Sequence, residues 1–269
     1  MSFSSPYGGK AQYNSFSPIG LNKDAFSFKA GEKLDYKISF GLFSAGEASM
    51  QIAPHVFQIN GSDCYKIDFY GKTTGALSWV AKVDNNWGAY INQQSLLPEA
   101  SYRKISENNY RKNEWVDFEQ NPGAVSNIDY REYKTDGIEI KKQRLYEAQG
   151  QVLDLISGFS FLRNHELKDL KPGDRLELQT FFEDTIYQFQ VEYHGIEEVK
   201  TKTGKFKAYK LRPLMPANKL FAGENPVTVW LSADQNKIPV RMEADFVVGK
   251  GKCILENYQN LKYKPTALK

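Results

Sequence analysis

From Ile238 to Val248 the chain places Ile238, Val240, Met242, Ala244, Phe246 and Val248 at every second position, with Pro239, Arg241, Glu243 and Asp245 between them. Neighbouring side chains of an extended chain point to opposite faces, so this alternation builds a strand with one dry and one wet face. The pattern recurs along most of the sequence, in Tyr36, Ile38, Phe40 and Leu42, in Tyr65, Ile67 and Phe69, and in Tyr187, Phe189, Val191 and Tyr193. Turn chemistry separates the runs. Asn60-Gly61 tolerates positive φ at both residues and marks a tight hairpin, Glu107-Asn108-Asn109 marks another, and Ser44-Ala45-Gly46, Thr203-Gly204 and Gly249-Lys250-Gly251 read as further turns. The alternation slips near Ala208, as a bulge would cause.

One segment departs from the two-residue period. Val152, Leu155, Ile156, Phe159 and Leu162 recur at helical spacing, and Leu153 and Phe161 make the other side apolar too. The spacing predicts a helix over about 152–163, buried on most of its circumference. Gly75 to Val80 reads as a short helical turn. About a dozen antiparallel strands joined by short turns cannot lie flat, so the expected fold is mainly β: a single large curled antiparallel sheet, an open or half barrel, with one buried helix. No composition break divides it. The expected organisation is an irregular N-terminal arm over 1–28 and a single β-rich domain over 29–265.

The balance of 35 Lys and Arg against 32 Asp and Glu leaves a net charge of +3 and gives no electrostatic case for nucleic acid as a partner. No apolar run approaches the roughly 18 to 20 residues of a transmembrane segment. The two cysteines, Cys64 and Cys253, fit neither a redox Cys-x-x-Cys nor a zinc spacing and read first as small buried hydrophobes, with a cross-strand disulfide the alternative. His55, His165 and His194 lie in separate segments without metal-ligand spacing, and His194 is placed at a Gly195 turn. Gly41 to Gly46 lacks the glycine two residues before Ser44 that a nucleophile elbow needs. Cofactors are therefore not expected, and the reading is of a protein that is not an enzyme.

Five side chains stand out as candidates for contact with a ligand. Asp154 and Arg163 bracket an otherwise apolar helix, where Asp154 as a helix cap is the simpler role. Phe159 lies on that helix. Trp87 shares a strand face with Ala89 and Ile91. Trp230 opposes Val227, Val229 and Leu231, so either a second layer covers it or it lines a groove.

The segments Gly31-Glu32-Lys33-Leu34-Asp35-Tyr36, Ala45-Gly46-Glu47-Ala48, Leu97-Pro98-Glu99-Ala100, Val152 to Ser157 through Leu162-Arg163, Thr203-Gly204-Lys205-Phe206 and Val229-Trp230-Leu231-Ser232 running on to Ile238-Pro239-Val240 resemble, in order, an uncharacterised family of exported, β-rich bacterial envelope proteins defined only as a domain of unknown function. The resemblance implies a mature protein of the periplasm or cell envelope whose leader is absent from this chain. It also implies a likeness to periplasmic lipoprotein carriers, which wrap a curved sheet around a helix and hold acyl chains between them. No catalytic residue comes with it. The functional expectation is a lipid or other hydrophobic or amphiphilic ligand in an apolar cavity of several hundred Å³, the usual range for such sites. The alternatives are a structural module that meets another envelope protein through a loop such as Pro213 to Pro226, and, further off, a glycan hydrolase.

Overall fold

The computed structural model describes residues 26–75, 77–121, 123–135, 137–214, 222–247 and 249–268. Val248, at the end of the alternating run, and residues 215–221 of the Pro213–Pro226 loop lie outside the described residues. So does the N-terminal arm up to residue 25.

The chain opens with β1 (Lys33–Phe40), β2 (Phe43–Ile52), β3 (Phe57–Ile59) and β4 (Ser62–Thr73), followed by the one-turn helix α1 (Leu77–Val80). A meander of β5 (Asp84–Asn92), β6 (Pro98–Glu107), β7 (Tyr110–Glu119), β8 (Val125–Tyr133) and β9 (Ile140–Gln149) leads into α2 (Leu155–Asn164). Then come β10 (Arg175–Phe182), β11 (Thr185–Thr201), β12 (Gly204–Leu214), β13 (Val227–Ser232), β14 (Pro239–Phe246), β15 (Gly249–Gln259) and the short β16 (Ala267–Leu268). All sixteen strands belong to one sheet whose main path runs β10 to β15, then β1, β2 and β4 to β9, with β3 and β16 as side branches. The named strand pairs are antiparallel. Pairing of β15 with β1 joins the two halves of the chain.

The ladder does not close, yet its two ends meet. The segment after β9 docks on β10, where the Leu153 amide donates to the Gln179 carbonyl (2.8 Å) and Phe181 donates to Leu153 (2.7 Å). The Gln179 amide reaches the carbonyls of Gln149 and Gln151 at 2.9 and 3.1 Å. Asp184, in the β10–β11 turn, accepts from Lys142 and from Arg144 of β9, the latter at 2.9 Å. These bonds cover part of the two edges that an open sheet would otherwise expose. Inside the curl, α2 meets β5 and β10, and apolar clusters fill most of the interior around Leu34, Ile67, Ile91, Val240 and Leu255, and around Leu167, Leu178, Leu211 and Leu231. Among the described residues no helix is long and apolar enough to cross a membrane.

Several local expectations change. The first hairpin turns at Gly41, not at Ser44–Gly46; the latter residues are strand, with a bulge opposite Ile38 and Ser39. Gly46 is needed because a side chain there would strike the backbone carbonyl of Lys72 on β4. Gly195 is no turn either. Together with His194 it bulges a single long β11, since Tyr193 pairs with Leu211 and Ile196 with Tyr209. The slip near Ala208 is thus caused by the partner strand. Phe26, Ser27 and Phe28, at the end of the expected irregular arm, belong to no helix or strand but are buried, and both rings join the main core. The predicted helix begins three residues late. The Asp154 carboxylate accepts from the amides of Ile156 (2.8 Å) and Ser157 (3.4 Å) while Ser157 Oγ accepts from Asp154 N (2.9 Å), a capping box that starts the helix at Leu155 and leaves Val152 and Leu153 extended. The Asn60-Gly61 hairpin forms as expected, with φ of 50° and 78°.

Candidate functional site

The five candidate side chains do not form one site. Arg163 is wholly buried and belongs to the framework. Its guanidinium forms a paired contact with Glu32, Nη1 to Oε1 at 2.7 Å and Nη2 to Oε2 at 3.2 Å. It also donates to the Asn236 carbonyl at 2.9 Å and lies 5.4 Å from the centre of the Phe28 ring. With both partners at 0% exposure, the ion pair fixes the end of α2 to the residue before β1, and the bond to Asn236 fixes it to the β13–β14 turn. Trp230 is covered by neighbours in its own sheet: its indole N–H donates to Glu197 of β11 (2.9 Å), and the guanidinium of Arg241, its cross-strand partner on β14, sits 4.3 Å from its ring centre. Neither side chain is open to a ligand.

Trp87 and Asp154 do converge, on a cavity of about 30 Å³ that also meets Arg103, Glu114, Tyr130, Phe181 and Phe182. Arg103 is pinned there between the rings of Trp87 (5.3 Å) and Phe182 (4.5 Å) and bonded to Glu114. Burial opposes ionisation of Glu114, but the hydrogen bonds and charge of Arg103, with help from Lys112 and Tyr130, hold its carboxyl below the usual range. Asp154 has no such cation. Burial pushes its carboxyl up to about 6, against the hydrogen bonds it receives from Ser157 and the helix amides. Its Oδ2 and the Trp87 indole nitrogen have no hydrogen-bond partner among the described residues. A space of this size takes a water molecule or two and no organic ligand.

Phe159 occupies a different environment. Leu155, Gly158, Phe159 and Leu162 form one stripe of α2 at i, i+3, i+4 and i+7, and this stripe faces the inner side of β10 to β13 without filling the gap. Across it stand Leu178 and Thr180 of β10, Phe189 and Val191 of β11, Leu211 and Pro213 of β12, and Val229 and Leu231 of β13, enclosing a recess of about 160 Å³. Thr180 supplies the one polar side chain of the lining. The recess exists because position 158 is glycine: a Cβ there would stand 3.8 Å from Leu178 Cδ1, so any larger side chain would project into the space. The recess is smaller than the several hundred Å³ expected of the interior, because apolar clusters fill the rest of the curl. It matches the volume of about 150 Å³ that is known to accept a benzene-sized group in an apolar protein core. Of these lining residues, sequence reasoning singled out Phe159 alone. The inward alternation of Leu211, Val229 and Leu231 was visible, but which strands face α2 depends on the order of the sheet.

Among curated proteins no sequence matches the chain. Its fold is similar to that of a β-barrel-like protein of the domain of unknown function DUF1849 from Brucella abortus, with 12% identity over 88% of this chain and all of the other, and a TM-score of 0.58. Weaker likenesses are to a protein described as exported, with a YmcC-like fold, from Bacteroides fragilis (10% identity, 87% of this chain and 98% of the other, TM-score 0.36), and to a protein described as a lipoprotein from Parabacteroides distasonis (11% identity, 87% and 98%, TM-score 0.34). The sequence itself matches the family described as Protein of unknown function (DUF3108) over residues 35–256, which is most of its length, and the chain belongs to that family.

Proposed function

We propose that this protein is a binding module of the cell envelope that takes the apolar end of an amphiphile, such as an acyl-chain tip, into the recess between α2 and strands β10 to β13. The observation that carries this reading is the lining: Leu155, Phe159, Leu178, Phe189, Leu211 and Val229 surround about 160 Å³ with Thr180 as the one polar side chain among them. Burying each methylene of a guest there gains about 0.8 kcal/mol. The size selects a chain end or one small ring and excludes a whole lipid. Leu155, Phe159, Phe189, Pro213 and Val229 are half-buried, so a guest can reach the space past side chains that are already part-exposed. The envelope location rests on the exported character of the family that the sequence resembles.

A dansylated fatty acid tests the proposal. Its emission should rise and saturate with the wild-type protein, and native mass spectrometry of protein from its own host should show a bound amphiphile. Gly158→Leu fills the recess from the helix side at a position that accepts a side chain, so it should fold normally and lose the probe. A wild-type protein that leaves the probe emission unchanged, or a filled variant that binds it equally well, would refute the proposal.

A further inference from the structure

The ends of the curled sheet differ in what they expose. At one end, the β1–β2 turn presents Leu42 at 99% and Phe43 at 79% exposure, and α1 presents Trp79 at 92% and Val80 at 80%. Val247 of the β14–β15 turn and Tyr110 at the start of β7 are exposed there as well. The backbone fixes these tips along one rim. Gly41 N donates to the Lys250 carbonyl (3.0 Å), which sets the β1–β2 turn against the β14–β15 turn. Thr74 N donates to Ala45 O (3.1 Å), bringing the connection into α1 beside the same hairpin, and Asn108 N donates to Lys82 O (2.7 Å), adding the β6–β7 turn. At the opposite end the turns read Asn60-Gly61, Gln93-Gln94-Ser95, Lys202-Thr203 and Asp234-Gln235-Asn236.

A surface leucine here and there needs no explanation, but two adjacent pairs of large apolar side chains, each almost fully in solvent and on the same rim, do. A protein partner would need a contiguous, complementary patch, whereas these side chains stand on separate tips around the mouth of a curled sheet. Separate apolar prongs, a tryptophan among them, with lysines beside them, are what the headgroup region of a bilayer accommodates. The lysines at hand are Lys72, Lys82 and Lys250, and two of these are neutralised locally: Lys72 by Glu47 at 3.6 Å and Lys250 by Asp245 at 3.1 Å. The attraction is therefore apolar more than electrostatic.

We infer that this rim docks on a lipid bilayer by inserting Leu42, Phe43, Trp79 and Val80 into its interfacial layer. The inference rests on the exposed tips and not on the recess, so either can fail without the other. In the test, the full chain is sedimented with phosphatidylcholine vesicles and, separately, with vesicles containing phosphatidylglycerol. It should bind both, persist in high salt, and show tryptophan quenching by brominated phosphatidylcholine. Leu42→Asp with Phe43→Asp, and Trp79→Ser, should each lower partitioning about tenfold or more, the scale of one large apolar side chain left in water. These positions are exposed, so a melting curve should confirm intact folding. Val56→Asp, at the opposite end, and the recess-filling Gly158→Leu should bind as the wild type does. The inference is overturned by failure to bind phosphatidylcholine, by binding confined to anionic vesicles and abolished by salt, or by rim variants that bind like the wild type.

Discussion

Truncating Arg163 to alanine should be among the most damaging single changes in this protein. Glu32 and Arg163 are both at 0% exposure, so the variant leaves a carboxylate in the core with no cation, and removes donors from the carbonyls of Asn236 and Ser27. Breaking a buried ion pair from one side costs about 3–5 kcal/mol. In a domain of this size each kcal/mol lowers the melting temperature by about 2–4 °C, which gives a fall of about 6–20 °C. Urea denaturation should show the loss as a lower midpoint with an unchanged slope. Pairing Arg163→Met with Glu32→Leu removes the stranded charge, and the double variant should be more stable than Arg163→Ala alone although two carbonyls still lose a donor. A loss below about 1 kcal/mol in Arg163→Ala, as for an exposed ion pair, would refute the assignment of this residue to the framework. So would a double variant weaker than the single one. The result also separates two roles for Arg163, because a side chain kept to hold a ligand would disturb binding and leave the unliganded fold nearly as stable.

Asp154 makes a prediction of opposite sign to that of most acidic residues. Its carboxyl is pushed up to about 6 in the folded chain, so its contribution to stability is fully present below the unfolded value near 4 and is lost as the pH rises through 6. A gap of about two units corresponds to about 3 kcal/mol. Asp154→Asn keeps a capping acceptor without the charge, so it should be the more stable protein at pH 8 and lose that advantage near pH 4; a difference between the two that does not change with pH would rule this out. Both cysteines are free thiols, and burial pushes each up to about 12, so a thiol reagent should react slowly with the native protein and count two thiols in denaturant. Rapid native labelling, or fewer than two thiols after denaturation, would contradict that placement.

The strands were legible because each carries its own signal. Alternation in Tyr65, Ile67 and Phe69 is local, as is the positive-φ chemistry of Asn60-Gly61, and a sheet of this width must curl whatever its register. The spacing around Ile156 and Phe159 likewise marked α2. Features that arise between segments were not legible. Arg163 finds Glu32 across 131 residues, and no local pattern announces that partner. For Trp230 the sequence left cover and groove both open, and the contact with Glu197 of β11 depends on the order and register of the strands. Val152 fitted the helical period although it precedes the cap, and Leu153 is apolar for a different reason, since it bridges to β10. The recess depended on knowing that β10 to β13 face the stripe containing Gly158, and sheet order set that.

The two ends of α2 constrain how a guest could enter. Were the helix a lid, opening it would pull Arg163 from Glu32 and expose or strand both charges, at about 3–5 kcal/mol. It would also break the bond from Ser27 N to Asn164 Oδ1 (2.7 Å) and the capping box at Asp154. A guest limited to about 160 Å³ buries only a few methylenes, worth about 2–4 kcal/mol together. That gain does not exceed the loss, so α2 stays in place and the half-buried Leu155, Phe159 and Phe189 must admit the guest by changing rotamer. The charged anchor and the apolar recess are therefore separable properties of one helix. Filling the recess at Gly158 should alter binding with little effect on stability, and substitutions at Arg163 or Glu32 should do the reverse.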